Sequence, residues 1–385
     1  MKPTMPGYFQ ELLAERSGPC ISIYAPTVRL GRPQGSENDR MFSGLVQRAE
    51  QELRQRYPAH HTDLLVQPLR RLLDDQSFWE QPADGIAAFA APDFFYVQKL
   101  DRSVPEQVAV ADSFHLKPLI RAQQFTGKYQ VLCLSQRNVR LFEGNQDRLD
   151  FVPLRNVPHT AGQALDIQIN EVITTRSGTP SGETRHDAKA KYQTVSEQAS
   201  IDDNDLERFF RTIDTAIWEN HSRAAGLPIM LCALEKYHPL FRSVSKNPNL
   251  MAEGIVVNPD AVDTERLRQE AWRIIEPYYQ EQVQRVVDAY QMAQAKQQGS
   301  EDIAQVAEAA TFARVSTLLV DADKHVGGRI DPASGRVEFA DMSQPDIDDL
   351  LDDIAEKVIK TGGQVLVMPS QQMPTETGVA AIYRF

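Results

Sequence analysis

The feature that most constrains the fold is the order of elements between residues 130 and 233. Two strand-like segments, 130–135 and 139–143, flank a short polar turn, which indicates a β-hairpin. A third strand-like segment at 149–154 precedes a long polar stretch and an amphipathic helix at 206–222. The chain then returns in PIMLCAL, an almost continuous apolar run typical of strands buried on both faces. Strands followed by a helix and a return strand predict an α/β layer.

The polar stretch contains the loop 174–193, TTRSGTPSGETRHDAKAKYQ. It has two glycines, one proline and few apolar side chains. Its basic residues are Arg176, Arg185, His186, Lys189 and Lys191. A loop of about 20 residues inside a compact domain is usually functional or disordered. We interpret the chain as a platform that presents this loop; the alternative is a mobile surface insertion without a role.

Composition sets broad limits on the class of protein. A chain of 385 residues predicts two or three domains, and 42% apolar with 24% charged residues is typical of globular proteins. The first 18 residues do not resemble a secretory signal, and no apolar run is long enough to span a membrane. We therefore expect a cytoplasmic protein without membrane partners, in which Cys20, Cys133 and Cys232 are buried thiols.

The net charge of −12 argues against a protein that coats nucleic acid over its whole surface. It leaves room for a local basic patch on an acidic body. The sequence gives no indication of a cofactor, and it does not fix the oligomeric state.

The N-terminal part, residues 1–120, predicts an α/β domain. A β run at 19–27 leads into a linker with Arg29, Arg32 and Arg40, after which Asn38 or Asp39 is expected to cap a helix. A second helix is expected at 64–73. Strands at 85–90 and 94–100 form a hairpin whose turn is Pro92-Asp93.

Residues 261–385 predict an α/β/α sandwich, because helices and strands alternate. A long helix at 263–300 is expected to be interrupted or kinked near Pro277. The further expected helices are 302–312 and 346–359, and the further expected strands are 315–320, 364–368 and 378–385.

The order of these pieces resembles the archaeo-eukaryotic class I release factor and Pelota superfamily, in a bacterial form. The matching segments are ISIYAPT with ENDRMFSGLV, DGIAAFAAPDFFYVQKL with DSFHLKPL, KYQVLCLSQRNVRLFEG, and IAQVAEAATFARVSTLLV. Each match is weak alone, but together they follow the family's order along the chain. The resemblance implies a multidomain protein of mixed α/β (α+β) class. Its parts are a release-factor-like domain at 1–120, a ribonuclease H-like domain at 121–260 and a domain resembling kink-turn-binding ribosomal proteins at 261–385.

In that family the central domain presents a Gly-Gly-Gln loop to the peptidyl-tRNA ester on the ribosome. In chain order this loop corresponds to 174–193, where Gly178 and Gly182 are not adjacent and neither precedes a glutamine. The loop offers Glu183, His186 and, later, Gln193 as candidate catalytic residues, with His186 or Glu183 as general base. The candidate RNA-binding residues are Arg176, Gly178, Gly182, Arg185, Lys189, Lys191, Arg29, Arg32 and Arg40. For Arg29, Arg32 and Arg40, a solvated linker without contact to RNA remains the alternative. The family's decoding motif, Asn-Ile-Lys-Ser, is absent from the sequence.

Three other constellations have structural interpretations. Gly362-Gly363-Gln364 is a literal Gly-Gly-Gln, but it lies between a helix and a strand, where glycine ends the helix. Asp321, Asp323 and His325 indicate a turn. The acidic run Asp346, Asp348, Asp349, Asp352, Asp353 and Glu356 is interpreted as a solvated helix face, with a metal site as the alternative, and no metal site is predicted. Nuclease activity is not expected, because Glu143 is the only acid in the first hairpin.

Three functions remain open. The first is a peptidyl-tRNA hydrolase or ribosome rescue factor that uses the 174–193 loop. The second is a Pelota-like factor that binds ribosome or tRNA without catalysis, which the missing Gly-Gly-Gln favours. The third is a protein-interaction scaffold, with a protein partner at the C-terminal domain. The expected partners under the first two are the ribosome and peptidyl-tRNA.

Overall fold

The structure is a computed structural model. It describes residues 8–16, 18–27, 37–58, 62–80, 83–124, 127–154, 157–158, 203–342, 344 and 347–385. These residues form a multidomain protein of mixed α/β class with several separate sheets, as predicted. The chain divides into two compact units, Met1–Thr126 with Gln282–Phe385, and Gly127–Glu281. The predicted domain boundaries near 120 and 260 stay a prediction.

The N-terminal sheet is antiparallel and has the strand order β3-β2-β1-β4. Its strands are β1 (Cys20–Pro26), β2 (Gly85–Ala91), β3 (Phe94–Leu100) and β4 (Gln107–Ala111). The helices are α1 (Tyr8–Leu12), α2 (Glu37–Arg56), α3 (Thr62–Asp74), α4 (Gln76–Trp79) and α5 (Lys117–Gln123). The hairpin and both predicted helices are confirmed. The predicted cap is wrong, because α2 already includes Asn38 and Asp39.

Strand β1 is buried on both faces, because its side chains alternate between two cores. Ile21 and Ile23 pack with Phe42 and other apolar side chains of α2 and α3. Tyr24 points to the other face, into a core that also contains Leu318 of the C-terminal sheet. The two ends of the chain therefore share one hydrophobic core within their unit.

The C-terminal part has helices on both faces of one sheet, which confirms the predicted sandwich. The order of this sheet is β10-β16-β11-β15, and a three-stranded sheet of order β13-β12-β14 accompanies it. The strands are β10 (Gly299–Ser300), β11 (Val315–Asp321), β12 (Gly327–Ile330), β13 (Val337–Phe339), β14 (Asp348–Asp349), β15 (Gln364–Met368) and β16 (Val379–Tyr383). Helices α10 (Ile303–Thr311) and α11 (Leu350–Lys360) cover one face. Tyr290 packs on the other face, from the second half of α9 (Thr264–Ala295), which continues through Pro277.

The central unit is built on a five-stranded sheet of order β7-β6-β5-β8-β9. The strands are β5 (Tyr129–Leu134), β6 (Val139–Gly144), β7 (Leu149–Val152), β8 (Ile229–Ala233) and β9 (Ile255–Val256). Strand β6 runs antiparallel to its neighbours, whereas β5, β8 and β9 are parallel. Numbered within the unit, this order is 3-2-1-4-5 with strand 2 reversed, which is the topology of ribonuclease H-like folds.

Helices cover both faces of the central sheet. One face packs against α6 (Asp203–Ile217) and α8 (Tyr237–Val244), and the other packs against the first half of α9. A π-helical turn (Trp218–Ser222) and a short α7 (Arg223–Ala225) extend α6. Strand β8 is buried at every position, as its apolar run predicts.

Candidate functional site

The long polar segment of the central unit joins β7 to α6. Strand β7 ends at Val152 and α6 begins at Asp203. The candidate residues of the loop fall between them and lie outside the described residues: Glu183, His186, Gln193, Arg176, Gly178, Gly182, Arg185, Lys189 and Lys191. Arg29 and Arg32 also lie outside, whereas Arg40 is described and is exposed on α2. The functional assignment of all these residues stays a prediction.

Helix α6, which follows the segment, is firmly attached to its own unit. Phe209 and Phe210 are fully buried against the sheet. On the same helix the buried carboxylate of Asp214 accepts hydrogen bonds from the Ser245 hydroxyl and from the backbone N–H of Lys246, the latter at 2.7 Å. Buried carboxylates with such partners hold helices in fixed positions. The segment therefore ends on a rigid element.

The π-helical turn links α6 to the first strand of the sheet. Ser222 is fully buried, and its hydroxyl donates to Oε1 of Gln130 at 3.4 Å. The side-chain amide of Asn249 donates to the Ser222 carbonyl oxygen at 3.2 Å. Single π-helical turns inside α-helices occur frequently at functional sites. This π-helical turn is therefore a local feature of the central unit, and the sequence did not predict it.

The acids on β6 and β7 are in ion pairs. Glu143 on β6 lies opposite Asp150 on β7 in the strand register. The Lys128 ammonium is 3.9 Å from Glu143, and the Arg148 guanidinium is 3.3 Å from Asp150. Among the described residues of this unit, no group of three His, Cys, Asp or Glu side chains is placed to hold a metal ion.

The literal Gly-Gly-Gln ends α11, which confirms its structural role. Gly362 has φ +74°, the left-handed conformation that glycine adopts readily. A Cβ on Gly363 would lie 2.5 Å from a methyl group of Val358 and 2.9 Å from the Val315 carbonyl oxygen. Gln364 then begins β15. Both glycines are thus required by the backbone between a helix and a strand.

Asp321 builds the predicted turn after β11. Its Oδ1 accepts hydrogen bonds from the backbone N–H groups of Asp323, at 2.8 Å, and Lys324, at 3.1 Å. The Ser370 hydroxyl also donates to it, at 2.7 Å. The side chain thereby mimics a backbone turn.

The acidic run around α11 is buried, so its interpretation as a solvated face is wrong. Asp349, Asp352 and Glu356 are 4%, 3% and 5% exposed. Asp349 caps α11 by accepting from the Leu351 N–H at 3.1 Å. Asp352 accepts from the backbone N–H groups of Leu116 and Lys117 at 3.0 and 2.7 Å, where α5 begins. These backbone donors lack partners inside their own helix, which explains why carboxylates are buried here.

A buried lysine neutralises part of this cluster. Lys117 is fully buried, and its ammonium lies 2.6 Å from Oδ2 of Asp349 and donates to the Lys324 carbonyl oxygen at 2.7 Å. Nδ1 of His325 is 2.9 Å from the same Oδ2, and Nδ1 of His115 is 3.5 Å from Asp352. Three distant segments of the chain thus meet at the start of α11.

Burial and charge set the protonation states in this cluster. Burial and the neighbouring Lys117 charge lower the pKa of His115 to about 3, so its imidazole is neutral at physiological pH. Burial alone would raise the pKa of Asp349, but the His325 hydrogen bond and the Lys117 charge hold it below its usual range. Asp349 is therefore ionised.

Three other acids of the cluster have pKa values above their usual range. Burial and the Asp349 charge raise the pKa of Asp352 to about 7. Burial and the Asp352 charge raise the pKa of Asp348 to about 7. Burial raises the pKa of Glu356 to about 7, although Lys360 opposes the shift. The cluster therefore carries more carboxyl groups than its cations can compensate.

Sequence reasoning missed this cluster because its members are far apart in the chain. The segment DSFHLKPL contains His115 and Lys117, more than 200 residues before Asp349. A lysine followed by proline at the start of a helix gives no sign of burial. One feature of the sequence did indicate the cluster. The number of acidic residues before and within α11 is larger than N-terminal capping of a helix requires.

Part of the chain is similar to a known protein family. Residues 128–314 match the family described as bacterial archaeo-eukaryotic release factor family 3. The matched region contains the whole central sheet with its ribonuclease H-like order, and it extends through α10. Residues 128–314 therefore belong to the archaeo-eukaryotic release factor superfamily, a group of release-factor-like translation proteins. The family within it that the chain matches is bacterial family 3.

Solved structures of the superfamily are similar at low identity. An archaeal translation termination factor, aRF1, is 13% identical, with 98% of this chain and 96% of that chain covered and a TM-score of 0.23. Dom34 of S. cerevisiae is 11% identical, with 81% and 82% covered and a TM-score of 0.41. An archaeal Pelota from a ribosome-bound assembly with ABCE1 is 9% identical, with 97% and 91% covered and a TM-score of 0.40. The family assignment rests on the family match.

No curated protein sequence matches the chain. Of the helices in the described ranges, none combines the length and the apolar character that crossing a membrane requires.

Proposed function

We propose that this chain acts at the ribosome as a release-factor-like factor that hydrolyses peptidyl-tRNA through the 174–193 loop. The observation that supports this is the family match over residues 128–314, which encloses the segment between β7 and α6. In chain order, this is the segment that corresponds to the ester-directed loop of release factors.

The composition of the loop fits an RNA-rich environment. It has four Lys or Arg residues and two acidic residues, whereas the whole chain carries a net charge of −12. Cations neutralise phosphate, and glycines such as Gly178 and Gly182 let the backbone approach RNA closely. The loop is therefore the part of the central segment best suited to contact the acceptor end of a tRNA.

The chemistry would be general-base hydrolysis of an ester. His186 or Glu183 takes a proton from water while the water oxygen attacks the ester carbonyl carbon. The bond between that carbon and the ribose oxygen then breaks, and the tRNA hydroxyl leaves with a proton. Backbone N–H groups near the glycines would stabilise the negative charge on the carbonyl oxygen. Gln193 would help to position the water.

A second function is favoured by one observation, the lack of a Gly-Gly-Gln in the loop. On this alternative the chain binds ribosomes or tRNA without hydrolysing the peptidyl-tRNA ester. Its C-terminal domain then recruits a protein partner. Dom34 is described as a termination-like factor in RNA quality control that interacts with Hbs1. Binding without catalysis would place this chain in a similar role.

The two functions are separated by a release assay on stalled ribosomes that carry labelled peptidyl-tRNA. We expect the wild-type chain to release peptide, and deletion of residues 175–191 to abolish release. We expect His186→Ala or Glu183→Gln to lower the rate roughly 10²- to 10⁴-fold, the usual contribution of a general base. Gln364→Ala, in the unrelated Gly-Gly-Gln, is the matched control and should keep the full rate.

Ribosome binding is measured in parallel by co-sedimentation. Binding without release would select the non-catalytic function. Release that survives the loop deletion would exclude the loop as the catalytic element. If the wild-type chain neither binds ribosomes nor binds tRNA, both proposals fail and an interaction scaffold remains.

A further inference from the structure

Three metal-ligating side chains converge at the start of α11. His115 follows β4, His325 lies between β11 and β12, and Asp349 is the N-cap of α11. Each offers one ligand atom, and these atoms lie within 4.8 Å of one another. Among the described residues this is the group that has such geometry. Two imidazoles and one carboxylate form a ligand set typical of Zn²⁺. Mg²⁺ and Ca²⁺ instead prefer sites made of oxygen ligands alone.

One of the three side chains has an unused buried nitrogen. His115 is 7% exposed, and its Nε2 has no hydrogen-bond partner among the described residues. A buried polar atom without a partner costs free energy, and most such atoms are paired. The other ring nitrogen, Nδ1, faces Asp352 at 3.5 Å. A carboxylate behind a histidine is the arrangement that orients imidazoles for metal binding.

The group opens into a cavity of about 300 Å³. His115, His325 and Asp349 all line it, together with Arg56 and Asp348. The His325 side chain is 37% exposed, which gives an ion a path from solvent. Catalytic zinc sites use three protein ligands and keep a fourth position for water, and the cavity has room for one.

The charge balance of the cluster favours a further cation. Asp348, Asp349, Asp352, Asp353 and Glu356 are gathered at one end of α11. Among the described residues, Lys117 forms an ion pair with Asp349, and Lys360 forms one with Glu356. Arg56, whose guanidinium donates to backbone carbonyl oxygens, also lines the cavity. Since acids outnumber these cations, a divalent ion would reduce the repulsion among the carboxylates.

We propose that His115, His325 and Asp349 bind one Zn²⁺. Nδ1 of His325 and Oδ2 of Asp349 are 2.9 Å apart. An ion about 2.0 Å from each would separate them to roughly 3.3 Å in a tetrahedral site, a small side-chain movement. Lys117 contacts the same Oδ2 at 2.6 Å, so its ammonium competes with the ion. The site links the two ends of the chain within their unit.

The test is zinc titration of the full chain, stripped with a chelator, against a chromophoric chelator of known affinity. We expect one Zn²⁺ per chain, and a loss of affinity on the order of tenfold or more in His325→Ala. His325 is partly exposed, so this variant should fold, which circular dichroism checks. The matched control is His221→Ala in the central unit, which should bind as the wild type does.

A second variant tests whether the group of His115, His325 and Asp349 binds the ion or has a purely structural role. Lys117→Met removes the competing ammonium and leaves Asp349 without its charge partner. If the proposal holds, this variant binds Zn²⁺ more tightly than the wild type, and zinc raises its Tm by more. The proposal is overturned if the wild type binds no Zn²⁺, if His325→Ala binds as tightly as the wild type, or if Lys117→Met gains no affinity.

Discussion

At the scale of residues, the carboxyl groups near the start of α11 make stability depend on pH. The pKa values of Asp348, Asp352 and Glu356 are each raised to about 7 by burial and by neighbouring carboxylates. In the unfolded chain such groups titrate at roughly 4. An acid with a raised folded pKa stabilises the protein fully below the unfolded pKa. That contribution is lost as pH rises through the folded pKa.

Replacement of Glu356 by glutamine should weaken this pH dependence. Glu356→Gln keeps the shape of the buried side chain but cannot ionise, although it also loses the charge pair with Lys360 at 3.0 Å. The wild-type free energy of unfolding should fall between about pH 5 and about pH 8, and the fall should be smaller in the variant by on the order of 1–3 kcal/mol. Urea denaturation at the two pH values measures both quantities.

The control for this prediction is Glu308→Gln. Glu308 pairs with Arg314 at 3.1 Å on the surface, where its side chain is 54% exposed. Exposed pairs contribute little to stability, so this variant should show the wild-type pH dependence. An equal fall in stability for wild type and Glu356→Gln would contradict the assigned role of Glu356.

At the scale of elements, two glycines decide how α11 gives way to β15. Gly362 has positive φ and open space around its Cα, whereas Gly363 is enclosed by Val358 and the Val315 carbonyl. Because β15 pairs in parallel with β11, the chain must turn sharply at this point. The two positions therefore need glycine for different reasons, one for conformation and one for space.

Alanine substitutions should separate these two reasons. Gly362→Ala should cost about 1 kcal/mol, because alanine tolerates the left-handed conformation poorly. Gly363→Ala should cost roughly 1–3 kcal/mol, because its Cβ would overlap a methyl group and a backbone oxygen. Thermal or urea unfolding measures both values.

Gly44 in α2 provides the opposite expectation. A Cβ at Gly44 would meet no atom of the described residues within 4 Å, and the residue lies inside a helix. Gly44→Ala should therefore stabilise the protein by about 0.5–1 kcal/mol. If Gly363→Ala were as harmless as Gly44→Ala, the close packing described for the α11–β15 junction would be wrong.

The sequence predicted elements well where a local period decides them. Strands β1, β2, β3, β5, β6, β8 and β15 and helices α3, α6 and α10 follow apolar periodicity that is visible in a short window. Strands β12 and β13 were not predicted, because their pattern is short and partly exposed. The burial of Asp352 depends on backbone donors at Leu116 and Lys117, more than 230 residues away. No local pattern carries that information.

At the scale of the whole molecule, charge distribution should govern binding to ribosomes. A chain with net charge −12 is repelled by rRNA, so binding must depend on local cations. We expect the association constant to fall as salt rises, with a slope of roughly −0.7 to −0.9 per phosphate contact on a double-logarithmic plot. Lys189→Glu with Lys191→Glu should weaken binding and flatten this slope. Co-sedimentation over a range of salt concentrations measures it.

The matched control makes the same charge change elsewhere. Lys246 and Lys296 are exposed, and Lys246→Glu with Lys296→Glu alters the net charge equally. This variant should lose much less affinity than the loop variant. Equal losses would show that total charge matters and that the 174–193 loop has no special part in binding.

The core shared by the two ends of the chain has a consequence for biosynthesis. Tyr24 and Phe89 are translated early, but their packing partners Leu318 and Ile354 emerge from the ribosome much later. At 5–20 residues per second, the wait is on the order of 10–50 s. During that time the nascent chain exposes half of an apolar interior, which chaperones can bind. A polypeptide truncated before residue 282 would therefore be prone to aggregation.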